Sequence, residues 1–420
     1  MTQQQDKKRL VVIGNGMAPG RVIERLLALS PEKYQITIFN AEPRVNYDRI
    51  MLSPVLAGEK SYEDIIIHDE DWYTQNDITL YKGDPILFIN RSEKFVVSKK
   101  GVSVNYDTLL IATGSSPILI PLPGHDLDGV LTYRDLDDVE AMVVASKNQK
   151  HAVVIGGGLL GLEAAAGLQM RGMIVTVLHL MPTLMERQLD AVAGELLKNA
   201  LEARGINVLT RANTARITGT EKVAAVHLDD GTVIKADIVC MAVGIKPNAD
   251  LAKAAGLKTN RGIIVQDDMR TSDPDIFAVG ECVEHNGQCY GLVVPLYEMA
   301  VVVAAGLSGQ SVRYKSTTSP TKLKVTGIDL FSAGEFEKKS GREEIIIKNS
   351  SGDFYKRLVI ENNKIVGVVL FGDTADGAWF FNLLKRGVDI STMRQSLIFG
   401  TAHDEEEPLT PYGGQCSLTA

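Results

Sequence analysis

Short apolar runs alternate with helical patterns and turn residues along this chain. Leu10–Ile13 is an apolar run of strand length. Glycines follow it, and then Val22, Ile23, Leu26 and Leu27 fall on one face at helical spacing. Gln35–Asn40, with Ile36, Ile38 and Phe39, predicts the next strand. Strand, turn, helix and strand over about thirty residues make a βαβ unit of the size that binds a dinucleotide. The pattern recurs: Val153–Ile155 reads as a strand, Gly156–Gly161 as a turn, Leu162–Met170 as a helix and Ile174–Leu178 as a strand. Repeated βαβ units predict an α/β fold class.

The segments between follow the same reading. Ile78–Tyr81 is a short strand, and Ile86–Ile89, Phe95–Ser98 and Val102–Val104 predict a small antiparallel meander. Residues 43–59 have mixed polarity and no clean period. A buried strand runs from Tyr106 into Thr113-Gly114, with Pro117 stopping it, and Pro117–Gly124 is a proline-rich connector. Helices are expected at Arg134–Ser146 and Gln188–Arg204. Asn207–Thr210, Ala224–Leu228, Val233–Lys235, Ile238–Met241, Ile263–Val265 and Ile276–Val279 read as strands. Pro295 opens an apolar helix, Leu296–Leu307. From there the pattern turns antiparallel: Leu323–Thr326, Glu344–Ile347, Tyr355–Ile360 and Ile365–Phe371 are expected strands, followed by a helix at Ala378–Lys385. Glu361–Lys364 is a tight turn between the last two strands.

Chemistry enters at the glycines. Gly156, Gly158 and Gly161 form G-x-G-x-x-G between a strand and a helix, the context that gives the motif meaning. Glycine lets the backbone approach a pyrophosphate, and the free N–H groups of the helix start bind its charge. Gly14 and Gly16 open a second such turn, with Pro19 at the third glycine position and Gly20 after it. Glu42, after the second strand, is the candidate acid for a ribose hydroxyl. Arg44 and Arg49 are either solvated charges or phosphate contacts. The equivalent position of the later unit holds His179. A carboxylate there favours the 2′-hydroxyl of NAD and repels a 2′-phosphate, and histidine does neither strongly. The reading leans to NADH and leaves use of both nucleotides open. Arg187 stands too far along to count as a phosphate ligand. Gly280-Glu281 closes a buried strand, where open α/β sheets bind ligands.

Bulk properties narrow the classes. The 420 residues suit two or three domains, and 45% hydrophobic with 23% charged residues is ordinary for a soluble chain. A formal net charge of −8 argues against nucleic acid or an anionic membrane as partner. The most apolar window, Gly291–Leu307, contains Glu298 and a proline, so it reads as a buried helix. The polar start leads into too few apolar residues for a signal sequence, and a cytoplasmic setting is expected. Cys240, Cys282, Cys289 and Cys416 form no C-x-x-C or C-x-C spacing, so reduced thiols are expected and no metal.

Taken in order, Gly14-x-Gly16, Ala112-Thr113-Gly114, Gly156-x-Gly158-x-x-Gly161-x-Glu163, Gly244-x-x-Pro247 and Gly280-Glu281 resemble the FAD-dependent pyridine-nucleotide reductases. That family includes ferredoxin and rubredoxin reductases, NADH oxidases and nitrite reductase flavoproteins. The resemblance covers roughly residues 8–310. A closer likeness, to about residue 400, is to the amino-terminal flavoprotein portion of assimilatory NAD(P)H nitrite reductase large subunits. It is carried by Gly14-Asn-Gly16-Met17, Tyr47-Asp-Arg49, Gly157–Glu163, Met185–Asp190 and Thr321–Gly327.

The resemblance implies two Rossmann-like dinucleotide-binding domains, one inserted in the other, plus a carboxyl-terminal α+β domain. An FAD-binding domain is expected at 8–120 and 245–312, an NAD(P)-binding domain at 121–244, the α+β domain at 320–400 and a tail at 401–420. It implies that Gly14, Gly16, Met17, Ala18, Glu42, Arg49, Thr113, Gly114, Gly280 and Glu281 face FAD, Glu281 through the ribityl chain. The helix at Pro295 would stabilise negative charge on the flavin. Gly156, Gly158, Leu160, Gly161, His179 and Gly244 would line the NAD(P) dinucleotide, with Glu163 near the nicotinamide amide.

The implied activity is an NAD(P)H oxidoreductase that passes electrons to a separate redox protein or reductase subunit, in nitrate or nitrite assimilation. Alternatives are a ferredoxin or rubredoxin reductase of another pathway, or a non-catalytic flavoprotein subunit. Carboxyl-terminal domains of this kind often support homodimers in the family. Departures bear on the branch. Pro54 stands where ferredoxin reductase relatives often carry lysine, no C-x4-C pair follows the first unit, and residues 40–56 hold no cysteine. Disulfide reductase, peroxidase and single-cysteine oxidase chemistry is therefore disfavoured. Full nitrite reductase subunits continue into cysteine-rich regions beyond the resemblance, so this chain is not expected to reduce nitrite unaided.

Overall fold

The computed structural model describes residues 7–315, 320–325 and 327–403. In chain order the elements that build the framework are β1 (Lys8–Ile13), α1 (Met17–Leu29), β2 (Tyr34–Phe39), β3 (Ile78–Tyr81), β4 (Thr108–Ile111), β5 (Val130–Thr132), β6 (His151–Ile155), α2 (Leu159–Met170), β7 (Ile174–His179), α3 (Ala191–Glu202), β8 (Asn207–Thr210), β9 (Ile238–Met241), β10 (Ile276–Ala278) and α4 (Val293–Ser308). They are followed by β11 (Thr321–Val325), β12 (Ile328–Gly334), β13 (Glu343–Lys348), β14 (Tyr355–Glu361), β15 (Lys364–Phe371) and α5 (Gly377–Arg386).

The described residues fall into two compact units. One lies within Met1–Ile118, Arg134–Val139 and Gly244–Ser316, the other within Leu119–Tyr133, Glu140–Val243 and Thr317–Ala420. The first unit is built on a parallel sheet of order β10-β4-β1-β2-β3. Its central strands are continuous apolar runs, with Val11, Val12, Leu109, Leu110 and Ile111 at most 1% exposed, because helices cover both faces of such a sheet. α1 turns Val22, Ile23 and Leu26 inward, and α4 is apolar on nearly every side and largely buried.

The second unit carries a parallel sheet of order β5-β9-β6-β7-β8. The same unit holds the antiparallel sheet β11-β12-β15-β14-β13, covered by α5. The α/β class expected from the repeated βαβ pattern is what the chain adopts. The turn at Glu361–Lys364 is also as expected: Asn362 and Asn363 have φ of 51° and 54°, the pair of positive values that a two-residue hairpin loop needs.

Several element boundaries differ from the sequence reading. Thr214–Gly219 is an unforeseen strand, and register shifts at both ends break the alternation that would have revealed it. β12 was also unforeseen, because its buried Ser332 and Ala333 do not look like a core strand. Ser115–Pro117 pairs antiparallel with Ile245–Pro247 where a stop was expected. Residues 49–57, read as aperiodic, hold a 3-10 turn and a short helix. α4 starts at Val293, so Pro295 is its third residue. Its missing N–H still costs nothing there, because the first turn has no intrahelical acceptors. The expected strand ending at Thr326 ends at Val325, residue 326 lying outside the described residues, as does the tail from residue 404.

The helix expected from Gln188 begins at Ala191, because the Asp190 carboxylate accepts the Ala193 N–H at 2.8 Å and caps it. The other oxygen of Asp190 accepts from Arg357 Nη1 at 2.7 Å and from the Tyr355 hydroxyl at 2.9 Å. Arg357, 6% exposed, also reaches Glu344 at 3.1 Å. This carboxylate therefore ties α3 to β14. Asp190→Ala removes a cap and one of the two carboxylate partners of a buried guanidinium, leaving Glu344, and should lower unfolding stability by about 2–4 kcal/mol. Denaturant unfolding is the check, and Asp190→Asn, which keeps the cap, should fall in between.

Candidate functional site

In the first unit the carboxyl ends of β1, β4 and β10 meet. Gly14 has φ of 106°, and a Cβ on it would collide with the Ala112 carbonyl. Only glycine makes that turn. In front of Gly16, by contrast, a Cβ would meet nothing within 4 Å. Gly16 is the N-cap of α1 and makes no side-chain cap bond, and the first turn carries no acid. The helix thus starts with uncapped N–H groups facing open space, a donor set that fits a pyrophosphate. Met17 and Ala18 form its first turn, and a Cβ on Gly280 would lie 3.4 Å from Ala18. Asn46, unforeseen in the sequence, braces the turn by donating to the carbonyls of Asn15 at 2.8 Å and Gly16 at 2.7 Å.

A belt of charges runs from Glu42 to Glu281 in this unit. One Glu42 oxygen is ion-paired with Arg49 Nη2, and the other accepts the Tyr47 hydroxyl at 2.8 Å. Burial pushes the Tyr47 pKa above its usual range against the pull of Arg49, and Glu42 adds to the rise, so the phenol stays a donor. Arg49 Nη1 also donates to the Arg134 carbonyl at 3.0 Å. The Arg134 guanidinium pairs with Glu281, which accepts the Ser115 hydroxyl at 2.7 Å. Thr113 and Gly114 sit beside this belt, locked by Asn248: Thr113 Oγ1 donates to its carbonyl at 2.7 Å, and its amide donates back at 2.9 Å.

The structure therefore brings together Gly14, Gly16, Met17, Ala18, Thr113, Gly114, Gly280 and Glu281 at one sheet edge, with Glu42 and Arg49 at the other end of the belt. Pro295 is buried in the first turn of α4, and among the described contacts none ties it to the belt. Arg134 and Ser115 escaped the sequence reading. The one available signal was Arg134 standing at the start of the expected helix, which begins at Leu136 in the structure.

The second unit repeats the cradle. Gly156 has φ of 124° and a Cβ there would strike the Ala242 carbonyl. Gly158 faces open space and caps α2 without a side-chain bond, and a Cβ on Gly161 would strike the Gly156 carbonyl. These are the three separate glycine roles of a dinucleotide turn: sharp turn, close ligand approach, and helix packed on strand. Leu160 is exposed at the helix start, and Glu163 is the fifth helical residue, half-buried.

His179 closes β7 but is buried and turned onto the turn itself: its Nδ1 accepts the Gly157 N–H at 3.1 Å. Gly244, expected with this cradle, belongs to the first unit, where its carbonyl accepts the Ile118 N–H at 3.0 Å. Among the described residues no cluster of three or more His, Cys, Asp or Glu side chains is placed to hold a metal ion, and no helix is long and apolar enough to cross a membrane.

Residues 8–307 match the family model described as pyridine nucleotide-disulphide oxidoreductase, and 320–388 match the rubredoxin NAD+ reductase C-terminal domain. The chain is 47% identical over 386 residues to the nitrite reductase (NAD(P)H) of Bacillus subtilis (strain 168), covering 92% of this chain and 48% of that protein. It is 43% identical over 393 residues to the assimilatory nitrate reductase electron transfer subunit of the same organism, covering 93% and 51%. The chain spans about half the length of these two relatives. Among solved structures, NADH:rubredoxin oxidoreductase from Clostridium acetobutylicum superposes with a TM-score of 0.77 at 28% identity, covering 92% of this chain and 97% of that one. Two glycine cradles on parallel sheets and these matches lead to one conclusion: the chain belongs to the pyridine nucleotide-disulphide oxidoreductase family, NAD(P)H-dependent oxidoreductases that use FAD.

Proposed function

We propose that this chain takes electrons from NAD(P)H onto FAD and delivers them to a separate redox protein or reductase subunit in nitrate or nitrite assimilation. The observation that carries the reading is the pair of uncapped glycine cradles, one per unit, each with open space before its second glycine. Bound FAD would supply the hydride acceptor and electron donor that no side chain can provide. The first cradle holds FAD in this reading, with Gly16 and the start of α1 on the pyrophosphate. Glu42 and Arg49 hold its ribose and phosphate end, and Glu281 its ribityl chain. Arg134 and Ser115 orient Glu281, and Asn248 keeps the Thr113–Gly114 turn rigid. The second cradle holds NAD(P)H, with Gly158 and the start of α2 on the pyrophosphate and Glu163 near the nicotinamide.

The relatives' names support the pathway: a nitrite reductase using NAD(P)H and an electron transfer subunit of an assimilatory nitrate reductase. A second reading is reduction of a rubredoxin-like iron–sulfur protein. It draws on the match at residues 320–388 and on the near-complete coverage of the rubredoxin oxidoreductase. A cytoplasmic setting goes with either, in keeping with Cys240, Cys282 and Cys289 forming no disulfide among the described residues. A homodimer through the carboxyl-terminal sheet also belongs to this reading, and sedimentation would test it.

The purified protein should be yellow and lose its visible flavin absorption when NADH or NADPH is added without oxygen. Failure to bleach with either nucleotide contradicts the reductase reading. Oxidation of the reduced protein should need an added acceptor, and nitrite consumption by the chain alone would contradict the partner argument. Glu281→Ala should loosen FAD about 10- to 100-fold, the loss of one hydrogen bond to a charged group. Flavin retained through gel filtration reads this out.

A further inference from the structure

We propose that Glu186, held by His179, is the specificity-determining carboxylate at the ribose 2′ position of the nicotinamide dinucleotide, and that it makes the site prefer NADH. The proposal rests on the reading that the Gly156–Gly161 turn takes this substrate. In a dinucleotide fold an acid at the end of the second strand bonds the ribose hydroxyls. Here that place is filled by His179, and the imidazole has nothing left to offer a ribose. Nδ1 accepts the Gly157 N–H at 3.1 Å, so Nε2 carries the proton. Nε2 lies 3.0 Å from the Thr183 carbonyl and 3.1 Å from Glu186 Oε2.

The segment after β7 is fastened to the same turn a second time. Met185, buried and with φ of 50°, donates its N–H to the Gly157 carbonyl at 3.0 Å. Both backbone groups of Gly157 are therefore bonded to residues 179–185. The contact is tight: a Cβ on Gly157 would stand 2.5 Å from a Leu184 methyl carbon and 2.7 Å from His179 Cγ. Glu186 follows directly from the fastened Met185. One of its oxygens is engaged by the imidazole, and its side chain remains 34% exposed. The carboxylate is thus anchored beside the turn with a face still open to ligand.

The rest of this edge is apolar or mobile in charge. Leu180 and Met181 are exposed and carry no charge. The cations on this edge are Arg187 and Arg211, both exposed; the Arg211 N–H donates to the Met181 carbonyl at 3.3 Å. Exposed guanidiniums are screened and give up side-chain entropy to bind, whereas the Glu186 carboxylate, screened as well, is already held by the imidazole. A 2′-phosphate dianion placed here meets the fixed negative charge first. Neutralising Glu186 should leave the arginines free to accept that phosphate.

The test is calorimetric binding of ADP-ribose and 2′-phospho-ADP-ribose to the whole FAD-loaded protein at low salt. Neither probe can donate a hydride, so the readout is independent of turnover. Glu186→Gln keeps a partner for His179 Nε2 and removes only the charge, and Glu186→Lys reverses it. The wild type should favour ADP-ribose by about tenfold or more, Glu186→Gln should narrow that ratio about fivefold or more, and Glu186→Lys should narrow it further. A smaller change in Glu186→Gln, or a wild type without the preference, overturns the assignment and leaves the NAD(P)H reading standing. Absence of binding by either probe to the wild type overturns that reading, and this proposal with it.

Discussion

Like α4 and α5, the helices behind Gly16 and Gly158 begin without a side-chain partner for their first N–H groups, but in these two the capping glycine also has open space in front of it. Gly16 and Gly158 occupy N-cap positions where serine, threonine or aspartate would ordinarily close the helix. Neither first turn carries an acid, so no side chain of the first turn offsets the positive end of the helix dipole. In α3, by contrast, the Asp190 carboxylate accepts the Ala193 N–H and so places a negative side chain at the helix start. The open cap costs stability that a bound pyrophosphate restores, and this links cofactor retention to the integrity of each unit.

Around the first cradle, part-buried charges are arranged in pairs, one local in the chain and one between distant segments. Glu42 is satisfied by Tyr47 and Arg49, and Glu281 by Ser115 and Arg134. A carboxylate bonded to neighbouring side chains, Glu42 through both oxygens and Glu281 through Oε2, is held in one orientation before any ligand arrives. That is pre-organisation: the ordering cost is met in folding and not on binding. The second cradle uses an imidazole for the same end, with His179 Nδ1 accepting the Gly157 N–H of the turn.

Much of this was legible in the sequence because the relevant signals are local. Strand-length apolar runs, glycines at fixed spacing and helical periodicity place both cradles, although the second helix starts at Leu159, three residues before the expected Leu162. The Asn362–Asn363 turn was legible for the same reason. What escaped depends on residues far apart in the chain. Arg134 meets Glu281 across 147 positions, and no periodicity reports such a pair. Likewise, nothing local shows that His179 faces the Gly157 N–H, since strand alternation does not fix where a terminal side chain points. Thr214–Gly219 and β12 were missed for a different reason: bulges and small buried residues erase the alternation that marks a strand.

In the proposed function two separate open glycines serve two separate dinucleotides. Gly16→Val and Gly158→Val test it directly, because in each case the added side chain fills ligand space and touches no protein atom within 4 Å at its Cβ. Flavin content and anaerobic reduction should be measured on both folded variants. Gly16→Val should be colourless. Gly158→Val should keep its flavin, fail to bleach with NADH or NADPH, and bleach with dithionite. Retention of flavin by Gly16→Val, or normal bleaching of Gly158→Val by a nicotinamide nucleotide, would contradict the assignment of the two cradles.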